Sequence, residues 1–123
     1  MADLNRSAKD MTTIGQPVPE LPVGDLNKAS DYYCDKLGFK REWALPEIAA
    51  VARGKVAIFF RLSTKPITPQ SHWIFADDVD ATFAEMRTNG AMIVDPISNK
   101  PWGLRQFTIQ DPDGHQFYVH HDI

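Results

Sequence analysis

Asp111-Pro112-Asp113-Gly114 constrains this chain more than any other stretch. Asp at the first position of such a turn bonds its own backbone, Pro presets φ at the second, and Gly at the fourth takes a left-handed conformation without a Cβ clash. Polar and apolar residues alternate on both sides, over 102–110 and 115–121, as half-buried strands require. The stretch therefore reads as a β-hairpin. An isolated hairpin is too weak to stand by itself, so the rest of the chain has to supply a sheet.

The length, 123 residues, is that of one domain, and 43% hydrophobic with 24% charged residues is ordinary for a globular one. A formal charge of −3 without a single-sign block gives no basic face, so no nucleic acid is expected as a partner. No apolar run reaches membrane-spanning length, so no membrane is expected either. The start of the chain mixes Asp3, Arg6, Lys9 and Asp10 with small residues and lacks an apolar signal core. The lone cysteine, Cys34, excludes an internal disulfide and fits a reducing, cytoplasmic setting.

Residues 1–16 are polar and patternless and read as a mobile arm. Pro17, Pro19 and Pro22 bar a central strand, so a strand over 17–23 is an edge strand or one that pairs across a subunit boundary. Asp25 is a good helix N-cap; Leu26, Ala29, Tyr33 and Leu37 follow at helical spacing, and Gly38 ends the run. Strands are expected over 39–45, 48–53 and 56–62, with Pro46-Glu47 and Gly54-Lys55 between them. A linker with Pro66 and Pro69 leads to a strand over 72–76. Asp78 caps a second helix, with Val79, Phe83 and Met86 on one face and Asn89-Gly90 at its end, and a strand over 91–97 precedes the hairpin. The halves repeat: each is a capped amphipathic helix with one strand before it and three after. The expected fold is α+β, a single domain over 17–123 made of two tandem β-α-β-β-β modules, about 17–66 and 70–123.

Three stretches carry a resemblance to a known family. They are Leu21-Pro22-Val23-Gly24-Asp25-Leu26 running to Leu37-Gly38-Phe39, Asp77-Asp78-Val79-Asp80-Ala81 running to Asn89-Gly90-Ala91, and Trp102-Gly103 leading to Phe107 and the Asp111 turn. In this order the chain resembles the glyoxalase / bleomycin-resistance / extradiol-dioxygenase superfamily, the vicinal oxygen chelate proteins. Within it the likeness is greatest to the bleomycin-binding proteins, through the Pro-rich start, Arg53-Gly54 ahead of the strand with Phe59-Phe60, and Trp102-Gly103. The resemblance implies a curved mixed sheet in each module, a cup completed across a homodimer, and possible exchange of the N-terminal strand.

Enzymes of the superfamily hold a divalent ion with His, Glu or Gln from four strand positions. Here the matching positions fall near Val18, at Phe59, at His72 or Ser71, and at Tyr118. Phe cannot ligate, and a phenol is a poor substitute for a carboxylate. No metal of that type and no cofactor is expected. His120 and His121 are adjacent on a strand and point to opposite faces, so they cannot grip one ion together; a solvated chain end is the expectation for them.

Without a metal, the cup is expected to bind a small aromatic or drug-like ligand by stacking and area. Its face depends on the hairpin register. A simple four-residue turn puts Arg105, Phe107 and Ile109 on one face with Gln116, Tyr118 and His120, whereas a glycine bulge at Gly114 slips that register. The first set is expected because the Tyr118 position faces the cup in the family. The expected ligand-binding residues are thus Trp102, Arg105, Phe107, Tyr118, Phe60, Trp43 and His72, with Trp73 and Phe75 assigned to the helix-facing core. Arg105 is expected as the one cation there, with a structural ion pair as its other reading. The expected function is sequestration in an antibiotic-resistance-like manner, with no catalytic residue assigned. Three alternatives stay open: a divalent-metal-dependent lyase or dioxygenase with a rearranged ligand set, an interaction domain whose cup is filled by its own side chains, and a metal-free enzyme with Tyr118 or His72 as general acid or base, for which no triad or carboxylate pair is seen.

Overall fold

The computed structural model describes residues 11–123, so most of the arm expected over 1–16 lies outside the described residues. The elements run β1 (Glu20–Val23), α1 (Leu26–Leu37), β2 (Lys40–Ala44), β3 (Ile48–Arg53), β4 (Val56–Leu62), β5 (Ser71–Phe75), α2 (Val79–Thr88), β6 (Met92–Asn99), β7 (Leu104–Gln110) and β8 (Gln116–Asp122). They form two four-stranded mixed sheets of the same design, β1-β4-β3-β2 and β5-β8-β7-β6. In each, the first strand joins the last in parallel and the other neighbours are antiparallel.

Both helices begin where a carboxylate can take an orphan amide. The Asp25 side chain accepts from Lys28 N at 2.9 Å, and that of Asp78 from Ala81 N at 3.0 Å. Gly38 closes α1 with φ of 75°, which Gly adopts at little cost. β1 is an edge strand, in keeping with Pro22 within it and Pro17 and Pro19 just ahead. It pairs with β4 of its own chain, Leu21 opposite Phe60 and Pro22 opposite Arg61.

The helix-facing sides of the two sheets feed one core. Leu21, Phe60, Ile58 and Val51 from the first module meet Phe107, Ile109, Phe117 and Val119 from the second. Tyr33 of α1 sits at the join. Its ring packs edge-on against Phe60 and Phe117, at centroid distances of 4.8 and 6.1 Å. Its hydroxyl donates to Asp111 Oδ2 at 2.7 Å, and the Tyr32 hydroxyl donates to Gln110 O at 2.7 Å. Arg53 ties the modules again, reaching Glu85 at 2.6 Å and Leu37 O at 2.8 Å. Because both inner faces supply this core, both outer faces look away from it, and no helix among the described residues packs over either.

Candidate functional site

The hairpin adopts the slipped register. Gly114 N donates to Asp111 O and Asp111 N donates to His115 O, with Gly114 at φ of 90°. This is a turn followed by a left-handed glycine bulge. It sets Ile109 opposite Phe117, Phe107 opposite Val119 and Arg105 opposite His121 on the inner face. Gln110 with Gln116, Thr108 with Tyr118 and Gln106 with His120 form the outer face. One extra residue in the turn thus reverses the faces expected for β7.

The expected site residues part accordingly. Phe107 and Phe60 are wholly buried in the core, because each alternates with an outward neighbour and packs against a helix side chain, Phe83 and Tyr33 respectively. Arg105 lies on the α2 side, where it holds the Asp80 carboxylate at 2.7 Å and Asn99 Oδ1 at 3.0 Å. Its charge is spent on a structural ion pair. His72 also faces inward: it stacks on Phe117 at 6.0 Å and its Nε2 lies 2.9 Å from Gln70 Oε1. Burial and nearby His115 lower its pKa below the usual histidine value. His121 is no solvated end, since its Nδ1 accepts from Val79 N at 3.3 Å at the start of α2.

Tyr118, Trp43 and Trp102 do reach outer faces. Parallel pairing sets Trp73 beside Tyr118 and Phe75 beside His120, so Trp73 and Phe75 leave the core position expected for them. Trp73 is 56% exposed and Phe75 63%. Trp73 approaches Tyr118 at 4.7 Å and His120 at 5.5 Å, which makes a ladder of rings across β5 and β8. The Trp102 indole donates to Gln106 Oε1 at 3.0 Å, and this bond draws the loop tryptophan to the same face.

In the first module the outer row is Trp43, Ala50, Phe59 and Glu20. Ala50 is small enough that Trp43 and Phe59 meet above it at 5.1 Å. A bulge in β2 between Arg41 and Trp43 makes this possible. Unbroken alternation would give the two one face, but Arg41 turns in to Asp31 on α1 while Trp43 turns out. Phe59 therefore takes the place expected for Phe60. Parity between two adjacent phenylalanines, and between His72-Ile74 and Trp73-Phe75, is the kind of choice that composition leaves open.

Two ion pairs lie on the outer faces, while Lys40 on one face and Asp122 on the other take part in no ion pair among the described residues. Arg61 pairs with Glu20, and Lys100 with Asp95, each at 2.7 Å. The positions where related enzymes hold a metal offer little. Val18 lies ahead of β1, and Glu20, the outward strand residue, is already paired with Arg61. Phe59, Ser71 and Tyr118 complete the set. One neutralised carboxylate, a hydroxyl, a phenol and a phenyl ring do not fit a divalent ion. Among the described residues, no three His, Cys, Asp or Glu side chains converge to hold one. An open cleft of about 980 Å³ skirts the free edge of β5, with Trp73 and Phe75 on one side and Val56, Ala57 and Ile58 of β4 on the other. Among the described residues, no helix is long and apolar enough to cross a membrane.

Paired β-α-β-β-β modules with inward helices and open outer sheets define a class. The family model described as Glyoxalase/Bleomycin resistance protein/Dioxygenase superfamily matches residues 13–119, and the chain belongs to that superfamily. A bleomycin resistance protein from Geobacillus stearothermophilus is 62% identical over 24 residues, 20% of this chain and 18% of the relative's own length. An antibiotic binding protein from Streptomyces sp. CB03234, TnmS3, superposes with a TM-score of 0.75 and 25% identity, covering 92% of this chain and 99% of its own. The bleomycin-binding protein of Streptomyces verticillus, solved with copper(II)-bleomycin, shares the fold at a TM-score of 0.74 and 24% identity, covering 89% and 97%.

Proposed function

We propose that this protein sequesters a flat aromatic, drug-like small molecule, without a resident metal, in a crevice that two copies of the chain complete. The observation that carries the reading is the pair of open aromatic faces, Trp43 with Phe59 and Trp73 with Phe75, Tyr118 and Trp102. Rings exposed to this degree on a sheet face are costly in water and mark a binding surface. The faces point away from each other within one chain, so a crevice between them requires a second copy, set so that the first module of one faces the second module of the other. The ion pairs Glu20–Arg61 and Asp95–Lys100 offset four of the charges on these faces, so the rings are their main feature. Stacking and apolar area then dominate the binding energy. The antibiotic and bleomycin binders of like fold support the ligand class, and the unsuited donor set supports the metal-free state. Exchange of β1 between copies belongs to the same reading, since Pro22 keeps that strand at the sheet edge.

The test combines sedimentation, metal analysis and a thermal-shift screen. A dimer free of stoichiometric divalent metal, whose melting temperature rises with aromatic antibiotics or bleomycin in proportion to their concentration over Kd, bears the reading out. A tightly held divalent ion with chelator-sensitive turnover overturns it.

A further inference from the structure

Among the described residues, the outer face holds one buried side-chain polar atom that the fold leaves unpaired. His120 sits in the ring ladder, with Trp73 and Phe75 approaching its imidazole edge-on at 5.5 and 6.1 Å. Its Nδ1 is buried and has no hydrogen-bond partner among the described residues. Buried polar atoms are nearly always paired, and an orphan destabilises the free protein. The cross-strand neighbour Gln106 makes no bond to it; its Oε1 accepts from the Trp102 indole instead.

We infer that His120 is the specificity-determining residue of this face, a neutral imidazole that hydrogen-bonds a hydroxyl carried by the aromatic ligand. The inference rests on the reading of the outer face as the binding surface. An imidazole has a donor and an acceptor when neutral, so it accepts from a phenolic hydroxyl and discriminates against the bare ring. Half a turn about χ2 exchanges Nδ1 with the carbon edge and keeps the ring in its slot, and no protein bond holds Nδ1 in place. Burial among rings lowers the pKa of His120 below the usual histidine value; His121 pushes the same way and Asp122 the other. The elements packed against it contribute Trp73, Phe75 and Gln106, none of them charged. The ring is therefore neutral at neutral pH.

The probes are flavone and 7-hydroxyflavone, read by tryptophan quenching and checked by equilibrium dialysis. Wild-type protein is expected to bind 7-hydroxyflavone about tenfold more tightly than flavone, the scale of one hydrogen bond to a buried polar group. His120→Phe keeps a ring and removes the nitrogens. It is expected to bind flavone as wild type does, to lose the preference, and to melt at a higher temperature in the free state because the orphan is gone. His120→Gln restores a polar reach and is expected to regain part of the preference. Equal affinities in wild type, or a preference that survives in His120→Phe, overturn the role of His120 while leaving the aromatic site intact. Failure of both flavones to bind overturns the site and this role with it.

Discussion

Single residues decide how the two modules meet. Asp111 opens the hairpin turn, yet its carboxylate is buried and accepts from the Tyr33 hydroxyl and from the amides of Asp113 and His115. Two effects compete there: the three donors favour the charged form and desolvation opposes it. Desolvation wins, and the pKa stands above the ordinary carboxylate value of 3.8. A raised pKa means that the folded chain binds this proton more tightly than the unfolded one. The contribution is therefore full below 3.8 and is lost as pH rises through the folded pKa. Asp111→Asn removes that slope, which is at most about 1.4 kcal/mol per pH unit for one group. Urea unfolding of both proteins from acid to neutral pH checks this: the stability of wild type minus variant is expected to fall over that window and then level. A difference that grows with pH refutes it. The turn residues themselves were readable; that the first of them would be buried under a tyrosine 78 positions away was not.

At the scale of elements, punctuation was legible and facing was not. Asp25, Gly38, Asp78 and Gly114 bound their elements because capping and left-handed turns depend on local chemistry. Gly38 shows how local and distant demands meet. A Cβ there would stand 2.7 Å from Arg53 Nη1 and 3.0 Å from Glu85 Oε2, at a φ that side chains resist. Gly38→Ala is expected to lower stability by about 1–3 kcal/mol through strain and loss of the Arg53–Glu85 bond, measured by urea denaturation. Facing escaped the sequence for a different reason. An extra residue at Glu42 in β2 and another in the Gly114 turn each reverse the parity of what they flank. Alternation around Phe107 or Trp73 was visible in the sequence, but its absolute phase was not.

For the whole molecule, the consequence of sharing one core is that each sheet keeps an aromatic face in water. Phe75, 63% exposed at the end of the ladder, is the simplest handle on the proposed dimer. Phe75→Asp places a charge on that face without touching the core, so the chain is expected to fold, to sediment as a monomer, and to lose its affinity for aromatic ligands by about tenfold or more. A variant that remains dimeric and binds as wild type does would place the interface elsewhere. The site residues expected from sequence divide along the same line. Trp43, Trp102 and Tyr118 stand on these faces, whereas Phe60, Phe107, His72 and Arg105 serve the shared core and its rim.

By itself the sequence determined the two modules, their helix caps, their turns and their family, because each is written in short-range chemistry that a few neighbouring residues complete. Tertiary structure alone decided which ring of each alternating pair meets water. That choice follows from bulges and from strand register, and register is settled only when the sheets close on one another over a common core.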